Sequence, residues 1–182
     1  ALYRKALAID PRYAPAWNGL AINFTGEVQL GLLSTSEGYA QSREAATKAH
    51  AIDPDYRLAH ASLGWIAADG DKDLADAARH FKRALAIDPA DLSVLGATPM
   101  FLTSLGRLDE ALALDESLVR RDPVNVWALH DLGRHQRWAD RLDAAMASDP
   151  SVANAARVSF ARRKDELDEA DEGLIRFLMR ER

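Results

Sequence analysis

Four cationic side chains recur at helical spacing in the last third of the chain and could bind a negatively charged segment of a partner. They follow one another at intervals of four, three and four residues: His130, Arg134, Arg137 and Arg141. Such intervals place side chains on one side of an α-helix, and arginine binds carboxylates through paired hydrogen bonds. A solvated basic helix face explains the same spacing, so two interpretations stay open, an acidic-peptide contact or an ordinary exposed surface.

The remaining titratable residues do not form a motif for catalysis or metal binding. None of the five histidines belongs to a His-Glu-x-x-His box, and His130 and His135, five residues apart, do not share a helix face. The absence of cysteine also excludes disulfides, thiolate metal sites and a cysteine nucleophile. We therefore expect no catalytic residue and no metal ligand set.

An acidic run at Asp165–Glu172 could supply paired carboxylates for acid–base chemistry or a divalent metal. Its position just before GLIRFLMRER favours a structural role, because acids at the start of a helix and arginines at its end complement the helix dipole. The apolar stripe of this predicted helix consists of Leu167, Ala170, Leu174 and Leu178.

The composition predicts a folded, mainly helical protein. Of the 182 residues, 48% are hydrophobic but only 7% aromatic, and much of the apolar content is alanine, which favours helix. The net charge of -5 argues against a nucleic-acid partner. No apolar run approaches the roughly 18 residues needed to cross a bilayer, and the N-terminus has no export pattern. We expect a cytoplasmic location and no membrane partner.

Asp-Pro pairs divide the chain into repeated units. The first four begin at Asp10, Asp53, Asp88 and Asp122, and successive prolines lie 43, 35 and 34 residues apart. Proline ends one helix and is tolerated in the first turn of the next, which the aspartate can cap. Small and large apolar residues recur between the pairs at helical spacing, as in Ala77, Phe81, Ala84 and Leu85 or in Ala111, Leu114 and Leu118. The unit is therefore a helical hairpin of about 34 residues.

Residues 1–146 resemble the tetratricopeptide repeat (TPR) family. First-helix positions of the family pattern hold Trp17, Leu20, Leu63, Gly64, Leu132 and Gly133, and second-helix positions hold Tyr3, Ala6, Ala77, Phe81 and Ala84. The resemblance implies an all-α fold, a right-handed superhelical solenoid of helical hairpins that begins with a partial repeat.

The sequence departs from the repeat pattern at three places. An insertion at Thr25–Gly38 contains glycines and serines and predicts a long loop between two helices. Thr98-Pro99 replaces the usual Leu-Gly pair, so we expect the first helix of that repeat to kink or to start late. Asp115 occupies a position at which the resemblance implies a buried aromatic residue.

The resemblance also implies a binding surface, because ligand peptides lie along a groove lined by the first helices of such solenoids. The groove positions implied here are Asn18, Ile22, Ala61, Trp65, Met100, His130, Arg134 and Arg137. The Lys and Asn pattern that clamps a C-terminal carboxylate in some members is absent, since Ile22 stands where an asparagine is needed. We therefore expect a protein or peptide partner, an acidic one where the cationic residues lie, and not a chaperone tail.

The fifth Asp-Pro pair, Asp149-Pro150, follows the fourth by only 27 residues and cannot continue the repeat. It falls inside the last expected helix, where a proline costs about 3 kcal/mol. Residues 148–182 instead resemble a segment near the N-terminus of flavin-dependent thymidylate synthases, through NAARVSF and DEGLIRFLMRER in the same order. This resemblance implies a flavin (FAD) contact at Ser159, but the other flavin and dUMP motifs are missing. We therefore expect no cofactor in this chain unless the segment belongs to a complete synthase.

Three hypotheses follow for the whole chain. The first is a non-catalytic protein–protein interaction scaffold, part of a larger bacterial regulatory or signalling protein, with a TPR domain at 1–146 and a segment of different descent at 148–182. The second is a truncated or fused thymidylate synthase that is inactive as it stands, and the third is a chimera joined near residues 146–151. Two points stay open: the oligomeric state, and whether the C-terminal pair of helices docks on the last hairpin as a cap.

Overall fold

A computed structural model of the protein describes residues 2–148, 174–176 and 178. These residues form helices and turns and include no β-strand, so the predicted all-α class is confirmed. The helices are α1 (Leu2–Ile9), α2 (Ala14–Gln29), α3 (Thr35–Ile52), α4 (Arg57–Trp65), α5 (Leu74–Ile87), α6 (Leu92–Gly96), α7 (Pro99–Ser104), α8 (Leu108–Arg121) and α9 (Val126–Ser148).

The chain divides into two compact units, Ala1–Ala97 and Thr98–Arg182. In the first unit α2 packs on α3 and α4 on α5, and the contact between α3 and α4 joins the two hairpins. In the second unit α8 packs against both α7 and α9. The predicted boundary at residues 146–148 adjoins residues that the structure does not describe, so it stays a prediction.

The aspartates of the first three Asp-Pro pairs close the turns between helices through their side chains. The side chains of Asp10, Asp53 and Asp88 each accept a hydrogen bond from the backbone N–H two residues later, at 2.8 to 3.1 Å. Asx turns of this kind compete with capping because the carboxylate folds back on its own turn. Asp91, three residues after Asp88, caps α6 by accepting bonds from the two backbone N–H groups of Ser93 and Val94.

The long loop predicted at Thr25–Gly38 is wrong. Helix α2 runs to Gln29 and α3 begins at Thr35, which leaves a short connection at residues 30–34. The hydroxyl of Thr25 lies 2.9 Å from that of Ser42, and Ser42 also donates to the Ala21 carbonyl, so polar contacts hold the two helices together where the loop was expected. The inserted residues therefore lengthen the hairpin.

The glycines of the insertion differ in what they do. Gly26 lies inside α2, where an added Cβ would meet no atom within 4 Å. Gly38 lies in α3 against Val28, and its Cβ would fall 2.1 Å from a methyl group of that side chain. Gly31 has a φ of 70° in the connection, a conformation that costs other residues about 1–2 kcal/mol. Of these three, Gly31 is the glycine that the turn requires.

A wide helical turn extends α4 alongside the lengthened hairpin. Residues Ile66–Asp71 continue α4 as a π-helical turn, a form of helix that proteins use in short segments. The hydroxyl of Tyr39 in α3 donates a hydrogen bond to the Asp69 carboxylate in this turn. Asp73 then caps α5 by accepting the backbone N–H of Asp76 at 2.9 Å. The π-helical extension of α4 therefore matches the greater length of α3.

Small residues allow the helices of each hairpin to approach closely. A Cβ added to Gly64 in α4 would lie 3.1 to 3.2 Å from the ring of Phe81 in α5, and that ring is fully buried. The apolar faces predicted for α5 and α8 are confirmed, since their members are buried: Ala77, Phe81, Ala84, Leu85, Ala111, Leu114 and Leu118. Alternation of small and large residues therefore forms the packing surface between helices.

The interruption predicted at Thr98-Pro99 is confirmed. Helix α6 ends at Gly96 and α7 begins at Pro99, so two short helices stand in place of one. Proline cannot donate the backbone hydrogen bond that a continuous helix needs there, and its ring clashes with the preceding turn.

The described residues of the C-terminal segment are helical, and three of the four are apolar. Leu174, Ile175 and Leu178 are buried, which agrees with the apolar stripe predicted through Leu174 and Leu178. Leu167 and Ala170 of the same predicted stripe lie outside the described residues.

Substitution of two glycines distinguishes a lengthened helix from a loop. We expect Gly26→Ala to raise the free energy of unfolding by about 0.5–1 kcal/mol, because alanine suits a helix interior better than glycine. The matched Gly31→Ala should lower it by about 1–2 kcal/mol, since Gly31 has a positive φ. Urea denaturation followed by circular dichroism measures both. A loss of stability in Gly26→Ala would contradict the helical assignment of residues 25–29.

Candidate functional site

The groove positions implied for the first unit are mostly covered by neighbouring helices. Asn18 is 2% exposed, and its side-chain carbonyl accepts a hydrogen bond from the Ser62 hydroxyl at 2.9 Å. Ala61 is buried, and Trp65 packs against the core of the α2–α3 hairpin. Ile22, at 52% exposed, is the one of the four that presents a large part of its side chain to solvent. The prediction that Asn18 and Ala61 line an open groove is therefore wrong, because helix packing covers them.

The second unit also buries one predicted groove position. Met100 in α7 is buried, so it does not line an open surface either. The unit does expose cationic side chains on α9: Arg137 and Arg141 are exposed, and the side chain of His130 is 52% exposed. These three residues are the exposed members of the predicted cationic line.

Arg134 is less exposed than the other three members of that line, although His130 shares its carboxylate: Nδ1 of His130 lies 3.2 Å from Oδ1 of Asp131. The Arg134 side chain is 16% exposed, and its Nη2 lies 2.9 Å from Oδ1 of Asp131, one turn earlier in α9. Its guanidinium carbon lies 5.3 Å from the centre of the Trp138 ring, at a distance typical of a cation–π contact. Asp131 and Trp138 therefore hold Arg134 within the protein, and a partner would have to compete with them for it.

Helix geometry explains why His130, Arg137 and Arg141 stay exposed. At about 100° per residue, these three project within roughly 40° of one another around the helix axis. His135 and Ala128, which are buried, project roughly 140–160° away from His130 on the same helical wheel. The cationic line therefore lies nearly opposite the buried face of α9.

A buried aspartate–histidine pair joins α8 to α9. Nδ1 of His135 lies 2.6 Å from Oδ2 of Asp115, and the two residues are 0% and 1% exposed. Burial raises the pKa of the Asp115 carboxyl above its ordinary value, and the hydrogen bond and charge of His135 oppose that change. Asp115 occupies the position at which the repeat pattern implies an aromatic residue, and it is paired there with His135.

Sequence reasoning missed this pair because its members are 20 residues apart on different helices. Oδ1 of Asp115 and Nε2 of His135 are buried and have no hydrogen-bond partner among the described residues. Since solvent reaches neither residue, a substrate has no access to the pair in this structure. We assign the pair to the packing of α8 on α9.

Neither a metal centre nor a flavin contact is part of the described structure. Within residues 2–148, 174–176 and 178, no group of three His, Cys, Asp or Glu side chains is arranged to hold a metal ion. Ser159, the flavin contact implied by resemblance, lies outside the described residues, so that role stays a prediction.

Across the same described ranges, the helices are too short or too polar to cross a membrane.

Comparison with solved structures identifies the fold. A thermophilic TPR protein of Thermus thermophilus matches 74% of this chain and 69% of its own with a TM-score of 0.56 at 20% identity. PilW, a widely conserved type IV pilus biogenesis factor, matches 93% of this chain and 70% of its own with a TM-score of 0.52 at 20% identity. The chain therefore has the TPR fold that its sequence pattern predicts.

Other comparisons add nothing to the fold. The second TPR domain of human RPAP3, solved with an HSP70 peptide, matches 68% of this chain and 98% of its own at 18% identity, but its TM-score of 0.44 is too low to support an inference. No protein-family model matches the sequence, and no curated protein matches it.

The buried pair can be tested by removing its members separately and together. We expect Asp115→Leu or His135→Leu to lower the free energy of unfolding by about 3 kcal/mol, because each leaves a buried polar partner unpaired. The double replacement by leucine should be close to neutral, since both polar groups then disappear. Chemical denaturation of the unchanged protein, the two single variants and the double variant gives the coupling free energy between Asp115 and His135.

His130→Leu, at an exposed position of the same helix, is the control and should change stability by less than about 0.5 kcal/mol. Additive losses in the double variant would contradict the pairing of Asp115 with His135.

Proposed function

We propose that the chain is a non-catalytic protein–protein interaction module that binds an acidic segment of a partner along α9. The observation that carries the proposal is the exposed cationic line His130, Arg137 and Arg141, on the side of α9 opposite its buried face. The TPR fold supports it, because stacked helical hairpins offer extended surfaces on which peptides bind. The chain would serve as the scaffold part of a larger bacterial regulatory or signalling protein in the cytoplasm.

The length of the line sets the size of the ligand. From His130 to Arg141 the helix rises roughly 16 Å at 1.5 Å per residue. An extended peptide advances about 3.3 Å per residue, so a segment of about five or six residues spans the line. Carboxylates on alternate residues of such a segment match Arg137 and Arg141, which lie about 6 Å apart along the helix, whereas His130 lies about 10 Å from Arg137, a distance of about three peptide residues.

The surface next to the line offers an apolar contact. Val126, one turn before His130, is exposed, and it projects within about 40° of the line on the helical wheel. A ligand that carries an apolar residue beside its carboxylates would cover this side chain. Such a mixed surface is typical of peptide recognition, in which charged contacts give orientation and apolar burial adds affinity.

Exposed ion pairs contribute little individually, and this limits the affinity. Each is worth about 0.2–1 kcal/mol, and salt screens them over about 8–10 Å at physiological ionic strength. We therefore expect weak, salt-dependent binding to a single peptide. Tight binding of a whole partner would require further contacts outside α9.

A pair of peptides tests the proposal directly. The probes are a fluorescein-labelled octapeptide with glutamate and leucine alternating and its counterpart with glutamine in place of glutamate. Fluorescence anisotropy should show at least fivefold tighter binding of the glutamate peptide, and Arg137→Gln/Arg141→Gln should weaken that binding at least fivefold.

The matched control Arg4→Gln/Arg12→Gln changes the net charge equally at exposed residues of the first unit and should bind like the unchanged protein. Equal affinities for the two peptides, or equal losses in both double variants, would count against a specific site on α9.

The enzymatic alternative has a separate test. A non-catalytic module should purify without bound flavin, because Ser159 is the single site residue that the thymidylate synthase resemblance transfers to this chain. An absorption spectrum of the purified protein, before and after incubation with FAD and desalting, measures this. Retention of a stoichiometric flavin band would refute the non-catalytic proposal and favour a synthase origin of function.

A further inference from the structure

Three histidines from three successive helices of the first unit meet in the packing between its hairpins. His50 belongs to α3, His60 to α4 and His80 to α5. The ring centres of His50 and His60 are 4.7 Å apart in an edge-to-face arrangement, and those of His60 and His80 are 5.5 Å apart. His60 is buried, and the His80 side chain is 16% exposed. Because their spacings along the sequence are 10 and 20 residues, no local motif predicts this histidine cluster.

The hydrogen bonds of the cluster fix where its protons lie. Nε2 of His60 is 3.0 Å from the Pro54 carbonyl, which can only accept, so this nitrogen carries a proton. In neutral His60, Nδ1 is then an acceptor, and the bond of 3.2 Å that joins it to Nδ1 of His80 is donated by His80. In neutral His60 both ring nitrogens therefore take part in hydrogen bonds.

The charged groups around the cluster do not compensate additional positive charge on His60. The nearest carboxylate to His80 is Asp76, whose Oδ1 lies 3.8 Å from Nε2 of His80 and also pairs with Arg79 in α5. Asp55, in the turn before α4, pairs with Arg83 of α5. From α3 the cluster is faced by His50, whose Nδ1 is buried and has no partner among the described residues. Asp76 and Asp55 are thus both already shared with an arginine.

We propose that the histidine cluster is a proton-sensitive lock that holds α3, α4 and α5 together at neutral pH and releases them in mild acid. One added proton fits on Nε2 of His80, where Asp76 is near. A second proton, on Nδ1 of His60, turns the acceptor of the bond to His80 into a donor and sets two N–H groups against each other. The packing of α4 on α5 is the element that gives way, and with it the contact of His60 with His50 that joins α4 to α3.

The direction of the pH effect follows from burial. Burial lowers the pKa of His60 and of His80 from the ordinary value, and the neighbouring histidines and arginines act in the same direction. The Pro54 carbonyl and Asp55 oppose this change at His60, and Asp76 opposes it at His80, but burial is the largest cause at both. In the unfolded chain each histidine titrates near 6.5. The unfolded state therefore binds more protons just below that pH, so the stability from the cluster is complete above about 6.5 and decreases as the pH falls toward the folded-state pKa values.

The first test compares melting temperatures at pH 7.5 and pH 5.5. The unchanged protein should melt at least about 5 °C lower at pH 5.5. In His60→Gln/His80→Asn, which retains side-chain donors and acceptors but cannot take up a proton, at least half of that decrease should disappear. His130→Gln, outside the cluster, is the matched control and should keep the full decrease. The same decrease in all three proteins would overturn the proposal.

The second test localises the opening and does not depend on how the double variant folds. Hydrogen exchange of the unchanged chain at the two pH values, corrected for the intrinsic exchange rate, should show at least a tenfold loss of protection at pH 5.5 in peptides from α3, α4 and α5. Peptides from α8 should lose less than threefold. Uniform loss in both units, or unchanged protection in α3 to α5, would overturn the proposal.

Discussion

Close approach of helix backbones is the constraint on which the rest of this structure depends. Alanine and glycine occupy the contact faces, so that Phe81 lies within 3.1 to 3.2 Å of the Cβ position at Gly64. Packing this tight excludes water from the interfaces, and any polar side chain trapped there must find a partner across the contact. Asn18 with Ser62, Asp115 with His135 and His60 with His80 are such partners, and each pair joins two helices.

The same constraint separates the interior of α9 from its proposed binding surface. One face of the helix is fixed by His135 against Asp115, which orients the opposite face toward solvent. The cations on that opposite face can meet a ligand without any rearrangement of the packing. Arg134 lies between the two faces, and its ion pair with Asp131 makes it part of the scaffold. The position of a cation around the helix thus decides whether it is held by neighbouring side chains or exposed to solvent.

The periodic features of the fold were predictable from the sequence. Apolar spacing located the buried faces of α5 and α8, and Thr98-Pro99 located a helix break, because both depend on local geometry. Spacing also predicts a turn at Ala139-Asp140, and this is wrong, since α9 is continuous from Val126 to Ser148. The loop prediction at residues 25–38 is wrong because composition does not reveal what surrounds a glycine: Gly26 faces open space and is tolerated in a helix. Composition therefore located the irregular segment but not its conformation.

The candidate site was predictable in part. The helical spacing of the cations on α9 was visible in the sequence, whereas burial of Asn18, Ala61 and Met100 depends on neighbouring helices that a repeat register does not describe. The pairing of Asp115 with His135 and the cluster of His50, His60 and His80 arise between helices. Such contacts have no local pattern, since the fold and not the chain brings their members together.

The central claim, that a partner binds on the exposed cationic line of α9, is tested most directly by mapping the bound surface. In a ¹H–¹⁵N correlation titration with the alternating glutamate–leucine octapeptide, the account predicts the largest backbone shift changes at residues 126–141, together with changes in the Nε–H resonances of Arg137 and Arg141. Shift changes concentrated in the first unit, or none at saturating peptide, would contradict it.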